Sequence, residues 1–361
     1  MAALLRPSTR FWLRSVLCAS IGAWVAIAAT AAAGAGDDPG DALIQGEYVG
    51  SLERDGELEL HAIQVIARGK GKFDAVLYRG GFPGWGWDRG AKVQFHGKTE
   101  AESTKLTRTD GSPSPILSVM ASGPAGEKPE AGKATADLLA IGAQGKIIGR
   151  FERVIRKSPT LGARPPEGAL VLFDGASAER FRTAKGQAAT VTAERLLRVE
   201  PGSGGLFITT PHESCRLHVE FRLPFEPEHE GQGRANSGCY LQGRYEVQIL
   251  DSFGLEGKEN ECGGVYSSGK DPDQNLCFPP LAWQTYDIDF TAATYAAGGK
   301  KTSNAKLTVR HNGVLVYDSI QIDHATTAAP KPEGPEPQPL YLQDHGHEVH
   351  FRNLWMVSVK K

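Results

Sequence analysis

Between residues 236 and 251 the chain reads Asn-Ser-Gly-Cys-Tyr-Leu-Gln-Gly-Arg-Tyr-Glu-Val-Gln-Ile-Leu-Asp, and its two parities carry different chemistry. Leu241, Tyr245, Val247 and Ile249, at odd positions, are mostly apolar. Tyr240, Gln242, Arg244, Glu246 and Gln248, at even positions, carry hydrogen-bonding groups. Successive side chains of a β-strand point to opposite faces. Read as a strand, the segment sends one face into a core and presents donors, acceptors and a charge pair on the other. Such a ladder suits a ligand rich in hydroxyls, such as a sugar.

The same period of two recurs downstream. Residues 215–223 set Leu217, Val219, Phe221 and Leu223 against Arg216, His218, Glu220 and Arg222. Residues 283–290 set Tyr286, Ile288 and Phe290 against Thr285, Asp287 and Asp289, and residues 306–320 form a hairpin with Asn312-Gly313 as a type I′ turn. The last strand places Val349, Phe351, Trp355, Val357 and Val359 on one face and His350 and Arg352 on the other. Strands of this kind with no helical pattern between them predict an all-β jelly-roll or lectin-like sandwich over residues 169–361.

Residues 158–168 are dense in Pro and Gly and are read as a linker. Before it, residues 41–157 offer short strands separated by turn residues, a smaller β-rich domain of barrel or sandwich type. Its loop Gly80-Gly-Phe-Pro-Gly-Trp-Gly-Trp87 is expected to plug one end of that core, the other reading being stacking on a sugar ring.

Residues 1–35 have the pattern of a signal peptide: Arg6, Arg10 and Arg14, an apolar run, then small residues suited to cleavage. Export to the periplasm or beyond is the expectation, with no membrane span left afterwards. Cleavage would leave 37 basic against 42 acidic residues, a formal charge of −5. A mildly acidic chain without a basic tract is a poor partner for nucleic acid. Cys215, Cys239, Cys262 and Cys277 would remain; Cys262–Cys277 is the expected bridge, across a short loop, and Cys215 and Cys239 fall on apolar faces.

Leu172-Phe-Asp-Gly175, Asn236-Ser-Gly238, Gly243-Arg-Tyr-Glu-Val-Gln-Ile-Leu-Asp251, Cys262-Gly-Gly-Val-Tyr266, Trp283-Gln-Thr-Tyr-Asp287, Asn312-Gly313 and Leu342-Gln-Asp-His-Gly346 followed by Phe351-Arg-Asn353 occur in this order. In these motifs residues 168–361 resemble the 3-keto-disaccharide hydrolase domain, long catalogued as a domain of unknown function. The resemblance implies a concanavalin-like β-sandwich acting on 3-keto glycosides. Residues 41–160 resemble a leading domain found before such sandwiches in some exported bacterial proteins, and no activity attaches to it.

A ketone at C3 of a sugar acidifies the C2 proton. A base can remove that proton, the C1 substituent leaves by elimination, and water adds back. The chemistry needs a carboxylate or imidazole base, an acid for the leaving oxygen and donors for the enolate. Glu246, Glu220, Asp344 and His345 are the catalytic candidates. Asn236, Tyr240, Gln242, Arg244, Gln248, Tyr266 and Arg352 are the substrate-binding candidates. His345 and His347, with His350 nearby, invite a divalent metal that would polarise the 3-keto oxygen, although no cofactor is required by the sequence. The competing readings are a non-catalytic carbohydrate-binding module on the same fold and a two-carboxylate glycosidase using Glu220 and Glu246, whose oxygens would then stand roughly 5–10 Å apart. No Gly-x-Ser-x-Gly elbow, P-loop or dinucleotide motif occurs in a supporting context, and Gly202-Ser-Gly-Gly205 opens no helix.

Overall fold

The computed structural model describes residues 39–101, 103–122 and 135–359, so the expected signal segment lies outside the described residues. No helix among them is long and apolar enough to cross a membrane. A short helix, α1 (Pro39–Ile44), leads into eight strands: β1 (Gly46–Arg54), β2 (Glu57–Ala67), β3 (Lys72–Arg79), β4 (Val93–Glu100), β5 (Ser103–Arg108), β6 (Ile116–Ser122), β7 (Thr135–Ile141) and β8 (Ile147–Val154). Each pairs antiparallel with the next, and β8 pairs back onto β1, closing a barrel. Strand alternation fills it: Ile63 and Val65 of β2, Phe73, Ala75 and Leu77 of β3, and Tyr48, Phe95, Leu106, Leu138 and Phe151 turn inward. Ile66, Val76 and Tyr78, of the opposite parity, face out and join a second core.

That second core belongs to residues 170–358. Its strands are β9 (Leu170–Phe173), β10 (Phe181–Thr183), β11 (Thr190–Val191), β12 (Leu197–Val199), β13 (Leu206–Ile208), β14 (Cys215–Arg222), β15 (Ser237–Leu241) and β16 (Tyr245–Ile249), then β17 (Trp283–Thr291), β18 (Thr294–Tyr295), β19 (Lys301–Ser303), β20 (Ala305–His311), β21 (Val314–Ile322), β22 (Tyr341–Leu342) and β23 (Val349–Ser358). A 5-stranded sheet has the order β10-β13-β22-β15-β16. An 8-stranded sheet has the order β11-β12-β23-β14-β17-β20-β21, with β9 also on β23, and β18 and β19 make a separate ribbon. Leu217, Val219, Phe221, Tyr286, Ile288 and Leu307 of the larger sheet share one buried cluster with Cys239, Leu241, Tyr245, Val247 and Ile249 of the smaller. Each such side chain contributes roughly 1.5–3 kcal/mol on burial.

The chain departs from the expected pattern in four places. Residues 236–251 are a hairpin rather than one strand: β15 and β16 pair Tyr240 with Glu246 and Gly238 with Gln248, and the chain reverses at Gln242 and Gly243, whose φ values are 53° and 58°. The two parities survive because residues opposite one another share a face. In β23 the expected face changes partway. Val349 and Phe351 are in the core, but so are Leu354 and Met356, while Trp355 stacks outside on His218. A register shift on β14 between His218 and Glu220, with Asn353 at φ 46°, inserts the extra residue that inverts the parity. The Cys262–Cys277 bridge is not formed: Cys215, Cys239, Cys262 and Cys277 are free buried thiols, although a hydrogen bond links Cys262 and Cys277.

The fourth departure is the expected linker. Residues 158–163 lie on the outer face of the 8-stranded sheet and are bonded into it. Ser158 Oγ meets Thr285 Oγ1 at 2.6 Å, and Thr160 Oγ1 donates to Asp287 at 2.7 Å. The Gly162 amide donates to Glu220 at 2.5 Å, and the Ala163 carbonyl accepts from Asn353 and from the Trp355 indole.

The barrel packs on the sandwich as well. Arg234, buried, pairs with Asp251 and donates to the Ala67 carbonyl of β2 at 3.1 Å. Phe82 of the aromatic loop is buried, Trp87 packs against the sandwich core, and Trp85 stacks on Phe82 while remaining 53% exposed. A Cβ at Gly84 would meet Leu276 at 2.7 Å, so the loop wedges between the two folds.

Glu220 sets a test of this arrangement. Burial alone would raise its carboxyl, but hydrogen bonds from His218, Asn353, Arg352 and the Gly162 amide outweigh it and bring the pKa to about 2. A folded-state pKa below the unfolded value contributes stability that is present above the unfolded pKa and lost as pH falls toward the folded one. Thermal unfolding should therefore show a loss on the order of 3 kcal/mol between pH about 4.5 and about 2, and Glu220→Gln should flatten that limb.

Candidate active site

On the outer face of the 5-stranded sheet, register places one residue from each strand in a single row. Arg182 of β10 is opposite Phe207 of β13, Phe207 is opposite Tyr341 of β22, Tyr341 is opposite Tyr240 of β15, and Tyr240 is opposite Glu246 of β16. Phe207 and Tyr341 stack with ring centroids 4.5 Å apart, and Tyr341 and Tyr240 follow at 5.4 Å. Arg182 is exposed and Phe207 half-buried, and the row then passes into buried Tyr341, Tyr240 and Glu246, the last at 3%. An aromatic floor thus ends at a recessed carboxyl.

Two glycines make room for the row. A Cβ at Gly238 would stand 2.2 Å from Glu246 Oε1 and 2.7 Å from the Tyr240 ring, so the carboxyl lies across the bare backbone of β15. A Cβ at Gly205, where φ is 80°, would stand 2.3 Å from the Tyr341 ring. The glycine-rich Gly202-Ser-Gly-Gly205 therefore seats an aromatic side chain.

Glu246 has no basic partner among the described residues. Burial is the main influence on its carboxyl and raises the pKa to about 8, against a hydrogen bond from the Tyr240 hydroxyl that lowers it. Burial in turn pushes the Tyr240 phenol up, with the neighbouring Glu246 adding to the effect. Gln343 Nε2 donates to the Tyr240 oxygen at 3.0 Å. Tyr266 is half-buried and tied to β16 by its amide on the Glu246 carbonyl at 3.3 Å. The loop at residues 326–336 crosses the row: the Thr327 carbonyl reaches the Tyr240 hydroxyl, and Lys331 Nζ lies 5.5 Å from the Phe207 ring centre.

The other expected residues divide. Asn236 and Gln248 sit at the end of the same face and share Gln232: Asn236 donates to its carbonyl and side-chain oxygen, and Gln248 Nε2 donates to that oxygen at 3.0 Å. The buried Asn236 Oδ1 and Gln343 Oε1 have no partner among the described residues. Gln242 and Arg244 lie in the turn and hold loops. Gln242 bonds His212 through its amide and its side chain, and Arg244 donates to Gln242 and to the carbonyls of Pro332 and Glu336. The structure does not bring Arg244 to Glu246.

Glu220 and Arg352 are on the opposite side of the molecule. They pair at 2.8 Å on the outer face of the 8-stranded sheet, beneath residues 158–163, and Arg352 lies 4.0 Å over the Trp283 ring. Both sheets separate Glu220 from Glu246, and face-to-face sheets alone stand about 10 Å apart, so these two carboxyls do not flank one sugar. Asp344 accepts from the amides of Gly204 and Gly346, each at 2.9 Å, and His345 is exposed and stacks parallel to His347. His345, His347 and His350 do not converge: His350 pairs with Glu348, and His347 turns to Glu226.

Phe207, Tyr341, Lys331 and Gln343 were not legible as site residues. Phe207 and Tyr341 belong to strands of three and two residues, too short to display a period. The signal available was Tyr341's place directly before the Leu342-Gln-Asp-His-Gly346 motif.

The family model for the 3-keto-alpha-glucoside-1,2-lyase-like domain matches residues 168–357. A candidate glycosyl hydrolase from Parabacteroides distasonis ATCC 8503, known from a crystal structure at 2.13 Å resolution, is 30% identical, with a TM-score of 0.50 over 54% of this chain and 85% of that one. A second candidate glycosyl hydrolase from the same strain, at 1.70 Å, is 18% identical, with a TM-score of 0.40 over 54% of this chain and 95% of its own. No curated protein matches.

Infrared titration of the carboxyl bands should resolve one group with a pKa of about 8 that disappears in Glu246→Gln. Gly238→Ala should move that group down toward the ordinary carboxylate range, by pushing Glu246 out of its recess, while the protein stays folded. Titration unchanged by either substitution would remove Glu246 as the recessed acid.

Proposed function

The chain belongs to the 3-keto-alpha-glucoside-1,2-lyase-like domain family, and from that membership and the row across the small sheet we propose that it cleaves 3-keto glycosides or disaccharides with Glu246 as the base. The observation that carries the reading is a recessed carboxyl with no cationic partner at the end of an aromatic floor. A sugar ring resting on Phe207 and Tyr341 would present C–H bonds to that floor and its hydroxyls to the amides of Asn236, Gln248 and Gln343. Ionised Glu246 takes the C2 proton, and the electron pair moves into the C2–C3 bond as an enolate on the 3-keto oxygen. Return of that pair expels the C1 oxygen substituent and leaves a C1–C2 double bond. Water then adds at C1 while a proton returns to C2, giving net hydrolysis.

Two features of the environment favour this base. A carboxyl whose pKa lies near neutrality holds the proton more strongly than an ordinary one once it has removed it. The Tyr240 hydroxyl, kept protonated by burial, stands beside the carboxyl with its proton on the long 3.4 Å contact to the Thr327 carbonyl, and turning that proton to an ionised Glu246 would fix the carboxylate's direction. Tyr266 and Lys331 border the row and are the nearest candidates to donate to the enolate or leaving oxygen. Export belongs to the same reading and rests on the basic and apolar pattern of residues 6–35.

The test is release of reducing sugar from 3-keto-trehalose and from an aromatic 3-keto-glucoside, with the unoxidised parents as controls. Cleavage of the keto substrates alone is expected, and Glu246→Gln should reduce it by at least about 100-fold while sugar retention persists. The base form predominates above its pKa, so kcat/KM should rise with pH through a midpoint at about 8 and level off above it. Retention of glycans without cleavage of any keto substrate would favour the binding-module reading.

A further inference from the structure

Outside the row of aromatic residues, two loops distant in sequence bring three donor side chains together. Glu226 and His229 come from the connection between β14 and β15, and His347 from the connection between β22 and β23. His347 Nδ1 lies 2.7 Å from Glu226 Oε2, and His229 Nδ1 lies 3.2 Å from the same oxygen. One ligand atom from each of the three falls within 4.8 Å of the others. We propose that Glu226, His229 and His347 form a site for one first-row divalent cation of the zinc, cobalt or manganese type.

The spacing suits a common centre. Metal–nitrogen and metal–oxygen bonds of about 2.1 Å put neighbouring ligand atoms about 3.0 Å apart in an octahedron and about 3.4 Å apart in a tetrahedron. The two observed separations, 2.7 and 3.2 Å, lie within about 0.3 Å of the octahedral value, whereas a tetrahedral site would need the shorter one to open by about 0.7 Å. Two imidazoles with one carboxylate match borderline first-row ions; calcium and magnesium take oxygen donors, and soft copper(I) takes sulfur.

Supporting contacts hold the donors. The Ala235 amide donates to Glu226 Oε2 at 3.0 Å, and the His345 ring lies nearly parallel to that of His347, at 6°. Glu226 and His347 are half-buried and His229 is exposed, so the cluster opens to solvent on one side. Three protein ligands leave at least one coordination position for water or a substrate oxygen. The bound ion would fasten the loop carrying Gln232 and Asn236 to the loop carrying Gln343 and Asp344. This inference stands independently of the glycoside-cleaving reading.

The full chain, stripped with chelator and dialysed, would be titrated with Co²⁺ and Zn²⁺ by calorimetry, with the cobalt d–d absorption as a second readout. One equivalent of each is expected, with zinc displacing the cobalt spectrum. His229→Ala, at an exposed position, and His347→Ala should each weaken binding by more than the about 10–100-fold that loss of an outer-shell partner costs. His350→Ala and Glu246→Gln should leave binding unchanged. Absence of saturable binding, or binding that survives both His229→Ala and His347→Ala with its spectrum intact, would overturn the proposal. Because the readout is metal uptake, failure here and failure of the cleavage assay are separate results.

Discussion

Arg234 is the point from which both halves of the molecule are held. Its guanidinium is buried beside Asp251 and also reaches the Ala67 carbonyl of the barrel. Removing two charges from water costs several kcal/mol for each ion, and only close pairing with further hydrogen bonds offsets it. The pair is close, yet burial still raises the Asp251 pKa and Arg234 Nη2 has no partner among the described residues, so the contact costs free energy where three parts converge: the end of β2, the loop before β15 and the segment after β16. Asn236 and Gln232 follow from this anchor on one side, and the β15–β16 hairpin is set against the barrel on the other.

The sandwich has two outer faces, and each buries a glutamate in a different way. Glu220 is 0% exposed and receives hydrogen bonds from Arg352, Asn353 and the Gly162 amide, so its charge is stabilised and it serves the fold. Glu246 is almost as buried, and a hydrogen bond from the Tyr240 hydroxyl lowers its pKa by less than burial raises it, so its proton is held into the neutral range. The signs of their contributions are opposite. The unfolded chain ionises Glu246 near the ordinary carboxylate value while the folded chain does not, so this group favours unfolding increasingly as pH rises from about 4.5 toward about 8. A fold that kept only stabilising carboxyls would have no recessed acid to offer a substrate.

How far these features were legible follows from the range of the interactions. The inward residues of β14, β15, β16 and β17 were readable from alternation alone, because the pleat is local and its period is two. The Asn312-Gly313 turn was equally local: φ values of 49° and 78° are those its residues favour. The Gln242-Gly243 reversal was not readable, since glutamine gives no turn signal. Glu220 and Arg352 looked like partners of Glu246 because their strands carry similar polar faces. Which sheet a strand joins is set by long-range pairing, and the two polar faces point away from each other. In β23 a single bulge near Asn353 changed the side of every residue after it.

Residues 158–163 join barrel to sandwich in the chain, yet they form an outer layer of the sandwich. Their backbone and hydroxyls complete the hydrogen bonding of Glu220, Asp287, Asn353 and Trp355. The family's characteristic segment starts at residue 168, after this layer. The boundary of the module in sequence and its boundary in solvation therefore do not coincide. If relatives exchange their leading domains, the joint that travels intact is expected on the barrel side of Ser158, because a join at residue 168 would open a buried charge network to water.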